Sequence, residues 1–255
     1  MNSISNTTPL TGRTALVTGA SSGMGASIAE RLVVEGAKVA ILGRRADRLE
    51  RLAVRFPGQV LPVAADITSA AEVEAAIAAI RGRLGRVDLL VNAAGVMLPN
   101  PLSDGRSDEW ATMIDTNLSG LLRVTKAVLP DLLEYAGHEG AVADIVNVSS
   151  IAAHAVFPDY AVYAATKAAV TALSAMQRTE LARRGVRVTN IEPGLTDTEL
   201  GTHIDNERLR DELRGMFGAI TAITSEDVAD LVHYVVTRAP AVNLRQIVIL
   251  PTQQA

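Results

Sequence analysis

Short runs of β-branched and apolar residues alternate with Ala-rich helical patterns along almost the whole chain. Seven runs are typical of strands, at residues 14–18, 38–42, 60–64, 87–92, 144–149, 186–192 and 245–250. Helical patterns lie between most of them, at residues 24–35, 47–55, 70–84, 109–135, 160–184 and 226–237. Nearly continuous apolar strands are typical of a sheet buried on both faces, and their alternation with helices predicts parallel βαβ units. We therefore predict the α/β class, with one doubly wound, Rossmann-like, seven-stranded parallel sheet flanked by helices.

The length and composition favour one domain over residues 1–255. The chain has 255 residues, of which 48% are hydrophobic and 20% are charged, and no linker or repeat divides it. The chain has no run of about 20 apolar residues, so we predict no transmembrane helix. Residues 1–10 lack the basic flank and apolar segment of a secretory signal, so we predict a loose polar tail there. These features predict a soluble, cytoplasmic protein.

Charge and cysteine content exclude several classes of function. The chain has no cysteine and a formal net charge of −4. Disulfides, thiolate metal ligands and a cysteine nucleophile are therefore excluded. The basic residues are scattered along the chain and form no cluster that would predict nucleic-acid binding. We expect a small-molecule partner, with no metal, nucleic acid or membrane involved.

A glycine-rich segment follows the first predicted strand directly. Gly19, Gly23 and Gly25 stand between that strand and a helical pattern, spaced Gly-x₃-Gly-x-Gly. Glycines at such a turn allow the backbone to approach a pyrophosphate, which the helix N-terminus favours electrostatically. A plain βα turn is the alternative interpretation. The position at the first βα turn of a predicted Rossmann sheet favours nucleotide binding.

Two arginines end the second predicted strand. Arg44 and Arg45 occupy the place where an acidic residue would bind the ribose 2′-hydroxyl of NAD, and the first acid is Asp47. The alternative is a solvated surface, but positive charge just before a helix is disfavoured by the helix dipole unless an anion offsets it. A 2′-phosphate is such an anion, so we predict NADP (NADPH) as cofactor, with NAD less favoured.

Tyr163 and Lys167 lie four residues apart in a helical pattern. That spacing places the phenol and the ammonium on one helical face. A neighbouring cation favours the phenolate and lowers the pKa of the phenol from its usual value of about 10. The pair is therefore a candidate general acid/base.

Several motifs in order along the chain resemble the short-chain dehydrogenase/reductase family. They are Thr18-Gly19-x₃-Gly23-x-Gly25, Asp66, Asn92-Ala-Ala-Gly95, Asn117, Ser150, Tyr163-x₃-Lys167 and Pro193-Gly194. Within the family the chain is most similar to the clavulanate-type aldehyde reductases, through residues 113–118, 191–194 and 196–200 and the ending Leu250-Pro-Thr252.

The resemblance implies an oxidoreductase that transfers hydride between NADP(H) and a ketone, an aldehyde or an alcohol. It implies that Tyr163 exchanges the proton with the substrate oxygen and that Lys167 lowers the tyrosine pKa and holds the nicotinamide ribose. It also implies that Ser150 bonds the reacting oxygen, with Ser149 as second candidate, and that Asn117 supports a relay to Lys167.

The resemblance also implies a set of cofactor contacts. In addition to Tyr163, Lys167, Arg44 and Arg45, we expect contacts from Gly19, Ser21, Ser22, Gly23, Met24, Gly25, Asp66, Ile67, Asn92, Ala93, Gly95, Pro193, Gly194, Leu195, Thr196 and Thr198. Ala93 departs from the usual second asparagine, which weakens a side-chain role there. Asp66 has an alternative interpretation as a cap for the helix that begins near Ser69.

Residues 198–223 carry mixed charge and weak periodicity after the sixth strand, and we predict that they form a mobile substrate lid. The expected substrate pocket is mainly apolar, which favours a medium-sized apolar or secondary-metabolite substrate. Its expected residues are Met97, Leu98, His154, Phe157, Tyr160 and Leu195, with His203, Met216 and Phe217 from the lid. The alternative for His154 is a partly exposed polar residue without contact to substrate.

Two other functions remain open at this point. An acyl-carrier-linked 3-ketoacyl reductase would need a basic docking face, for which Arg208, Arg210 and Arg214 are weak candidates. A non-catalytic NADP-binding sensor would not need Tyr163, Lys167 or Ser150. The long helical patterns at 109–135 and 160–184 resemble those that pair across subunits in the family, which predicts a homotetramer or a homodimer.

Overall fold

The chain forms one seven-stranded sheet, as shown by a computed structural model that describes residues 9–254. Every pair of neighbouring strands is parallel. The order across the sheet is β3-β2-β1-β4-β5-β6-β7. The strands are β1 (Thr14–Thr18), β2 (Lys38–Gly43), β3 (Val60–Ala64), β4 (Leu89–Asn92), β5 (Ala143–Val148), β6 (Val186–Pro193) and β7 (Gln246–Ile249). The predicted fold class is confirmed.

Helices cover both faces of the sheet. They are α1 (Gly23–Val34), α2 (Ala46–Val54), α3 (Ala70–Leu84), α4 (Ser107–Ile114), α5 (Leu121–Ala136), α6 (Ala161–Leu181), α7 (Glu207–Ala219) and α8 (Ser225–Val236). Side chains alternate along β1, so Val17 packs into the core layer that holds α1 and α8, while Leu16 packs into the layer that holds α3 and α5. Burial on both faces explains why the strands are apolar without interruption.

The strand order places a crevice beside β1. From β1 the chain winds outward through β2 and β3, and it then returns to β4 on the other side of β1. Connections that diverge from neighbouring strands leave a crevice at the carboxyl ends of those strands, where open α/β sheets bind ligands. The glycine segment after β1, the arginines after β2 and the segment after β4 all meet at this edge.

The predicted helix 109–135 is one helical run interrupted by a π-helical segment. Regular α-helix ends at Ile114, residues Asp115–Gly120 form the π-helix, and α5 follows. A β-carbon at Gly120 would lie 2.7 Å from Cδ1 of Ile67. The absence of that carbon lets this wide turn pack against the segment after β3. The apolar pattern of the sequence does not reveal the wider turn, because such segments are short departures within a helix.

The predicted loose tail is corrected at Leu10. Its side chain is buried in the α1–α8 layer, and its backbone amide donates to the carbonyl of Glu35 at 2.9 Å. An apolar residue beside the sheet gains more by burial than by remaining in a solvated tail. Pro9 is exposed in a turn, and residues 1–8 of the predicted tail lie outside the described residues.

The predicted lid contains regular structure. Thr198 precedes a 3₁₀ turn (Glu199–His203), and α7 follows it. Ile204 and Leu209 are buried against the apolar cluster that includes Tyr163. Movement of the lid, residues 198–223, over a substrate remains a prediction. Within residues 9–254, no helix combines the length and apolarity that crossing a membrane requires.

Candidate active site

The turn after β1 packs tightly against the segment after β4. Gly19 has a φ of +69°, and a β-carbon there would lie 2.7 Å from Cα of Ala94. A β-carbon at Gly25 would collide with the carbonyl oxygen of Gly19. Thr18 Oγ1 accepts hydrogen bonds from the amides of Ala93 (3.1 Å) and Ala94 (3.2 Å). The glycines at positions 19 and 25 are therefore required by close packing and by a left-handed backbone.

The N-terminus of α1 faces the crevice. The side chain of Ser22, at the N-cap, does not cap the helix, and its Oγ instead accepts from Nη2 of Arg45 at 2.6 Å. Among the described residues of α1, the first turn carries no acidic side chain. Free amides and the positive end of the helix dipole favour an anion at this place. This end of the cleft therefore fits the pyrophosphate of a dinucleotide.

One cleft connects the glycine turn with Tyr163 and Lys167. Among the residues that we predicted for the site, those that line this cleft are Gly19, Ser21, Ser22, Gly23, Met24, Gly25, Arg44, Arg45, Asp66, Ile67, Ala93, Gly95, Tyr163, Lys167, Thr198 and His203. Further lining residues that sequence reasoning missed are Leu42, Gly43, Ala65, Ala94, Val96, Thr116, Val148, Glu199 and Leu200. Ser149, the second candidate for the catalytic serine, also lines it.

Arg45 is held at the glycine turn. Its Nε donates to Ser21 Oγ at 3.1 Å, and its Nη1 donates to a carboxylate oxygen of Glu199 at 3.0 Å. Arg48, in the first turn of α2, donates to both oxygens of Glu199 at 2.7 and 2.6 Å. The predicted phosphate-binding arginine thus already pairs with an acidic residue of the lid.

Asp66 lies beside Arg44 at the same end of the cleft. Partial burial opposes ionisation of its carboxyl, but hydrogen bonds from Thr68 and the positive charge of Arg44 hold its pKa below the ordinary value. The amide and the hydroxyl of Thr68 both donate to Asp66 Oδ1 at 2.8 Å. Ser69 caps α3, since its Oγ accepts from the amide of Glu72. Asp66 therefore orders the turn before the helix while still lining the cleft.

Tyr163, Lys167 and Ser150 meet at the other end of the cleft. Tyr163 is 5% exposed, and Nζ of Lys167 lies 5.8 Å from the centroid of its ring. The side chain of Ser150 lies close enough to the Tyr163 phenol to favour its ionised form. Lys167 Nζ donates to the carbonyl of Val148 at 3.1 Å. The helical spacing of Tyr163 and Lys167 therefore brings the phenol and the ammonium together beside the end of β5.

The two adjacent serines have different surroundings. Ser149 Oγ donates to the carbonyl of Lys167 at 2.8 Å and also bonds Thr171 Oγ1 at 3.0 Å. Ser150 is directed to Tyr163, and its Oγ also accepts from the amide of Ala152 at 3.1 Å. Ser149 thus braces α6, whereas Ser150 lies beside the phenol, and a catalytic role for Ser150 remains a prediction.

Burial determines the pKa values of the pair. Burial raises the pKa of Tyr163 to about 12, with the side chain of Ser150 acting against it and Tyr160 adding to it. Burial also lowers the pKa of Lys167 to about 8. The sequence led us to expect a lowered phenol pKa, and the direction is opposite here because desolvation disfavours both charged forms. Tyr163 is therefore a neutral proton donor at pH 7.

Asn117 lies in the π-helical segment and is 2% exposed. Its Oδ1 accepts from the amide of Val96 at 2.8 Å, and its Nδ2 donates to the carbonyl of Val96 at 2.9 Å. Nδ2 also donates to Thr166 Oγ1 at 3.1 Å. Asn117 therefore fastens the segment after β4 to α6 next to Lys167. A role in a proton relay remains a prediction.

The remaining predicted cofactor residues take different positions. A β-carbon at Gly23 would lie 3.3 Å from Cβ of Thr198, so Thr198 faces the glycine turn. Asn92 is directed into the interior, where its Nδ2 donates to Asn147 Oδ1 at 2.9 Å. Pro193 ends β6, and Thr196 Oγ1 donates to the carbonyl of Gly194 at 2.9 Å. These last residues shape the turn after β6 and do not themselves line the cleft.

The predicted substrate residues lie in four different surroundings. Met97, Phe157 and Tyr160 belong to or pack against the apolar cluster around Tyr163, which Leu98 and the lid residue Leu200 also join. His203 lines the cleft. Leu195 is buried at 8% exposure, and its amide donates to the side chain of Gln254. The lid residues Met216 and Phe217 are exposed.

His154 does not line the cleft, and its contact with substrate remains a prediction. Its Nε2 lies 3.0 Å from both oxygens of the buried Glu192, and Gln246 also contacts it. Because a buried carboxylate needs hydrogen-bond partners, the ring is engaged away from the cleft. No local pattern predicts this pair, because 38 residues separate His154 from Glu192.

Within residues 9–254, no group of three or more His, Asp or Glu side chains is arranged to hold a metal ion. The residues around the cleft fit a dinucleotide, since the glycine turn, the α1 N-terminus and Arg45 all lie at one end of it.

Comparison with known proteins defines the family. A family model for short chain dehydrogenases matches residues 13–209. The chain therefore belongs to the short-chain dehydrogenase/reductase family and is an oxidoreductase of that family. The likeness to the clavulanate-type group within the family remains a prediction.

Three proteins that resemble this chain differ in the reactions that their names describe. The chain is 39% identical over 243 residues to a sulfoacetaldehyde reductase of Chromohalobacter salexigens, covering 94% of each chain. It is 34% identical to the closed form of a serine dehydrogenase complexed with NADP+, with a TM-score of 0.88 and coverage of 95% and 96%. It is 29% identical to a 3-ketoacyl-(acyl-carrier-protein) reductase from Brucella melitensis complexed with NADH, with a TM-score of 0.86 and coverage of 96% and 99%.

Proposed function

We propose that this chain is an NADP(H)-dependent oxidoreductase that interconverts a carbonyl compound and the corresponding alcohol. The observation that carries the proposal is one cleft with Arg45 and the glycine turn at one end and with Tyr163 and Lys167 at the other. The first end suits a dinucleotide with a 2′-phosphate, and the second end supplies a proton donor beside a cation.

The proposed chemistry follows from the protonation states of the buried groups. When bound, the nicotinamide would supply or accept the hydride. For reduction, Tyr163 holds its proton at neutral pH and delivers it to the substrate oxygen. Ser150 donates a hydrogen bond to that oxygen as negative charge develops on it. Lys167 keeps a positive charge near the phenol below about pH 8 and so favours loss of the proton.

The coenzyme choice rests on the arginines after β2. Arg44 and Arg45 both line the cleft, and an arginine fork suits a phosphate better than a ribose hydroxyl. The serine dehydrogenase structure that this chain resembles contains NADP+. The 3-ketoacyl reductase structure contains NADH. The local charge and the more similar of these two structures support NADP(H).

The surroundings of Tyr163 support a medium-sized apolar substrate. Tyr163 lies in a cluster with Met97, Phe157, Tyr160 and Leu200. Among the described residues that line the cleft, the basic side chains besides Lys167 are Arg44, Arg45 and His203. The two arginines follow β2, on the dinucleotide side of the cleft. Apolar walls around the reacting atoms disfavour a small charged substrate.

An acyl-carrier-linked ketoreductase is less well supported. The candidate docking arginines on α7 are paired within the chain. Arg208 bonds Asp159 and Glu212, and Arg214 bonds Asp211. Arg210 donates to the carbonyl of Ile204 at 2.9 Å. A non-catalytic sensor is also less well supported, because it would not need Ser150 beside the buried Tyr163.

We further propose self-association as a homotetramer or homodimer. Leu122 on α5 and Met176 on α6 are 41% and 59% exposed. These helices fall within the two long patterns that predicted subunit contacts, and exposed apolar side chains there favour burial against another copy.

The first prediction concerns Tyr163→Phe. We expect this variant to bind NADPH with unchanged affinity and to lose at least about 10²-fold in turnover, because only the proton donor is removed. Turnover would be measured with NADPH and NADH on a panel of ketones and aldehydes that includes sulfoacetaldehyde, and in the reverse direction with alcohols that include serine. Coenzyme binding would be measured by calorimetry.

Turnover close to that of the wild type in Tyr163→Phe would contradict the acid/base role. Wild-type binding of NADH as tight as that of NADPH would contradict the coenzyme assignment. Preferred turnover of the small charged substrates would contradict the apolar substrate class while leaving the reaction type intact.

A further inference from the structure

Glu199 provides an anion at the place where the coenzyme phosphate is expected. It is the first residue of the 3₁₀ turn in the lid, and its carboxylate lies between Arg45 and Arg48 with contacts of 2.6 to 3.0 Å. Glu199, Arg45, Ser21 and Ser22 all line the dinucleotide end of the cleft. The carboxylate therefore belongs to the same site as the glycine turn.

The position of the two arginines explains why an anion is held there. Arg45 is the N-cap of α2 and Arg48 lies in its first turn, so two cations face the positive end of the helix dipole. Such an arrangement is unfavourable without a compensating negative charge. Asp47 in the same turn pairs with Arg51, and Glu199 supplies a further negative charge, directly on Arg45 and Arg48, from a segment about 150 residues away in the chain.

Arg45 is shared between two sets of partners. Its Nε and Nη2 bond Ser21 and Ser22 in the glycine turn, and its Nη1 bonds Glu199. A 2′-phosphate that binds Arg45 must accept hydrogen bonds from N–H groups that now donate to Glu199. The negative charge of the Glu199 carboxylate also repels it. Both effects oppose binding of the phosphate and leave a ribose hydroxyl unaffected.

We propose that Glu199 is a coenzyme-selectivity residue whose carboxylate competes with the 2′-phosphate of NADP(H) for Arg45. This inference rests on the proposed NADP(H)-dependent function. Glu199 keeps the affinity for NADP(H) below the value that Arg44, Arg45 and Arg48 would give by themselves. It leaves the affinity for NAD(H) almost unchanged.

The test uses adenosine 2′,5′-bisphosphate and ADP as probes. Both lack the nicotinamide and carry two phosphates, but only the bisphosphate has one of them on the 2′-oxygen, while ADP has both at the 5′ position. Their dissociation constants would be measured by calorimetry for the wild type, Glu199→Gln and Glu199→Ala. The side chains of Arg45, Arg48 and Glu199 are 36%, 35% and 45% exposed. For pairs so exposed, we expect both variants to bind the bisphosphate about fivefold more tightly and ADP within about twofold.

Glu212→Gln is the matched control. Glu212 also lies in the lid and pairs with an arginine, Arg208, at 2.7 Å, but it does not line the cleft. The same loss of charge there should leave both dissociation constants within about twofold. The gain in Glu199→Gln should also shrink in high salt, because exposed charges are then screened.

Unchanged or weaker binding of the bisphosphate by both Glu199 variants would overturn the inference, if the wild type prefers that probe to ADP. An equal gain for both probes would also overturn it, since competition acts on the 2′-phosphate alone. If neither the wild type nor the variants prefer the bisphosphate, the proposed NADP(H) dependence fails and the inference fails with it.

Discussion

At the scale of single residues, the site depends on which of two neighbouring serines faces the phenol. Residues that follow one another after a strand leave it in different directions, and here Ser149 bonds the backbone of α6 while Ser150 lies beside Tyr163. The family resemblance ranked Ser150 first, and its position beside the phenol is consistent with that prediction. Ser149 stabilises the helix turn that carries Lys167.

We predict that Ser150→Ala lowers kcat by about 10²- to 10³-fold, because a hydrogen-bond donor to the developing oxyanion is lost. Ser149→Ala should lose far less activity and instead reduce stability by about 1 kcal/mol, the usual effect of one lost hydrogen bond. Steady-state kinetics and urea denaturation of both variants distinguish these effects. The reverse pattern would exchange the roles of the two serines.

At the scale of elements, the β1–α1 turn and the π-helical segment position the site. The glycine pattern predicted the turn because its requirement is local: Gly19 needs a left-handed backbone and Gly25 has no room for a side chain. The π-helical segment was not predicted. It depends on Gly120 packing against Ile67 more than 50 residues earlier.

We predict opposite effects for two Gly→Ala substitutions. Gly25→Ala should lower the free energy of unfolding by about 1–3 kcal/mol through overpacking against the backbone of Gly19, and it should weaken NADPH binding. Gly82→Ala, in the exposed last turn of α3 with open space around it, should raise that free energy by about 0.5 kcal/mol. Urea denaturation measures both, and a stabilised Gly25→Ala would contradict the account of the turn.

At the scale of the whole molecule, a buried ionic network joins distant parts of the chain. Arg187, at the start of β6, donates to Asp144 at 2.7 Å. It also donates to the carbonyl of Val236, the last residue of α8, and to that of Arg238 just after the helix. Asp144 in turn pairs with Arg13, which also bonds Asp88. The network fastens the ends of β1, β4, β5 and β6 to the last part of the fold.

We predict that Arg187→Met destabilises the protein by about 3–5 kcal/mol, because a buried carboxylate loses one of its two cationic partners. Arg51→Met is the control, since Arg51 and Asp47 form a pair that is 66% exposed on both sides. Its effect on the midpoint of urea denaturation should be far smaller. Equal shifts for the two variants would contradict the structural role of the network.

The sequence by itself determined the features whose causes are local. Alternating apolar runs and helical patterns predicted the sheet, and the Tyr163–Lys167 spacing predicted a shared helical face. The glycine spacing predicted the turn. Each depends on residues within a few positions of one another, so the chain records them directly.

Only the tertiary structure decided how distant residues combine. It placed Glu199 on Arg45, His154 on Glu192 and Leu10 in the core, and it buried Tyr163 deeply enough to raise its pKa to about 12. These outcomes depend on desolvation and on charges brought together from separate parts of the chain. Desolvation and these charge contacts arise only when the fold excludes water from the site, so local patterns in the sequence did not reveal them.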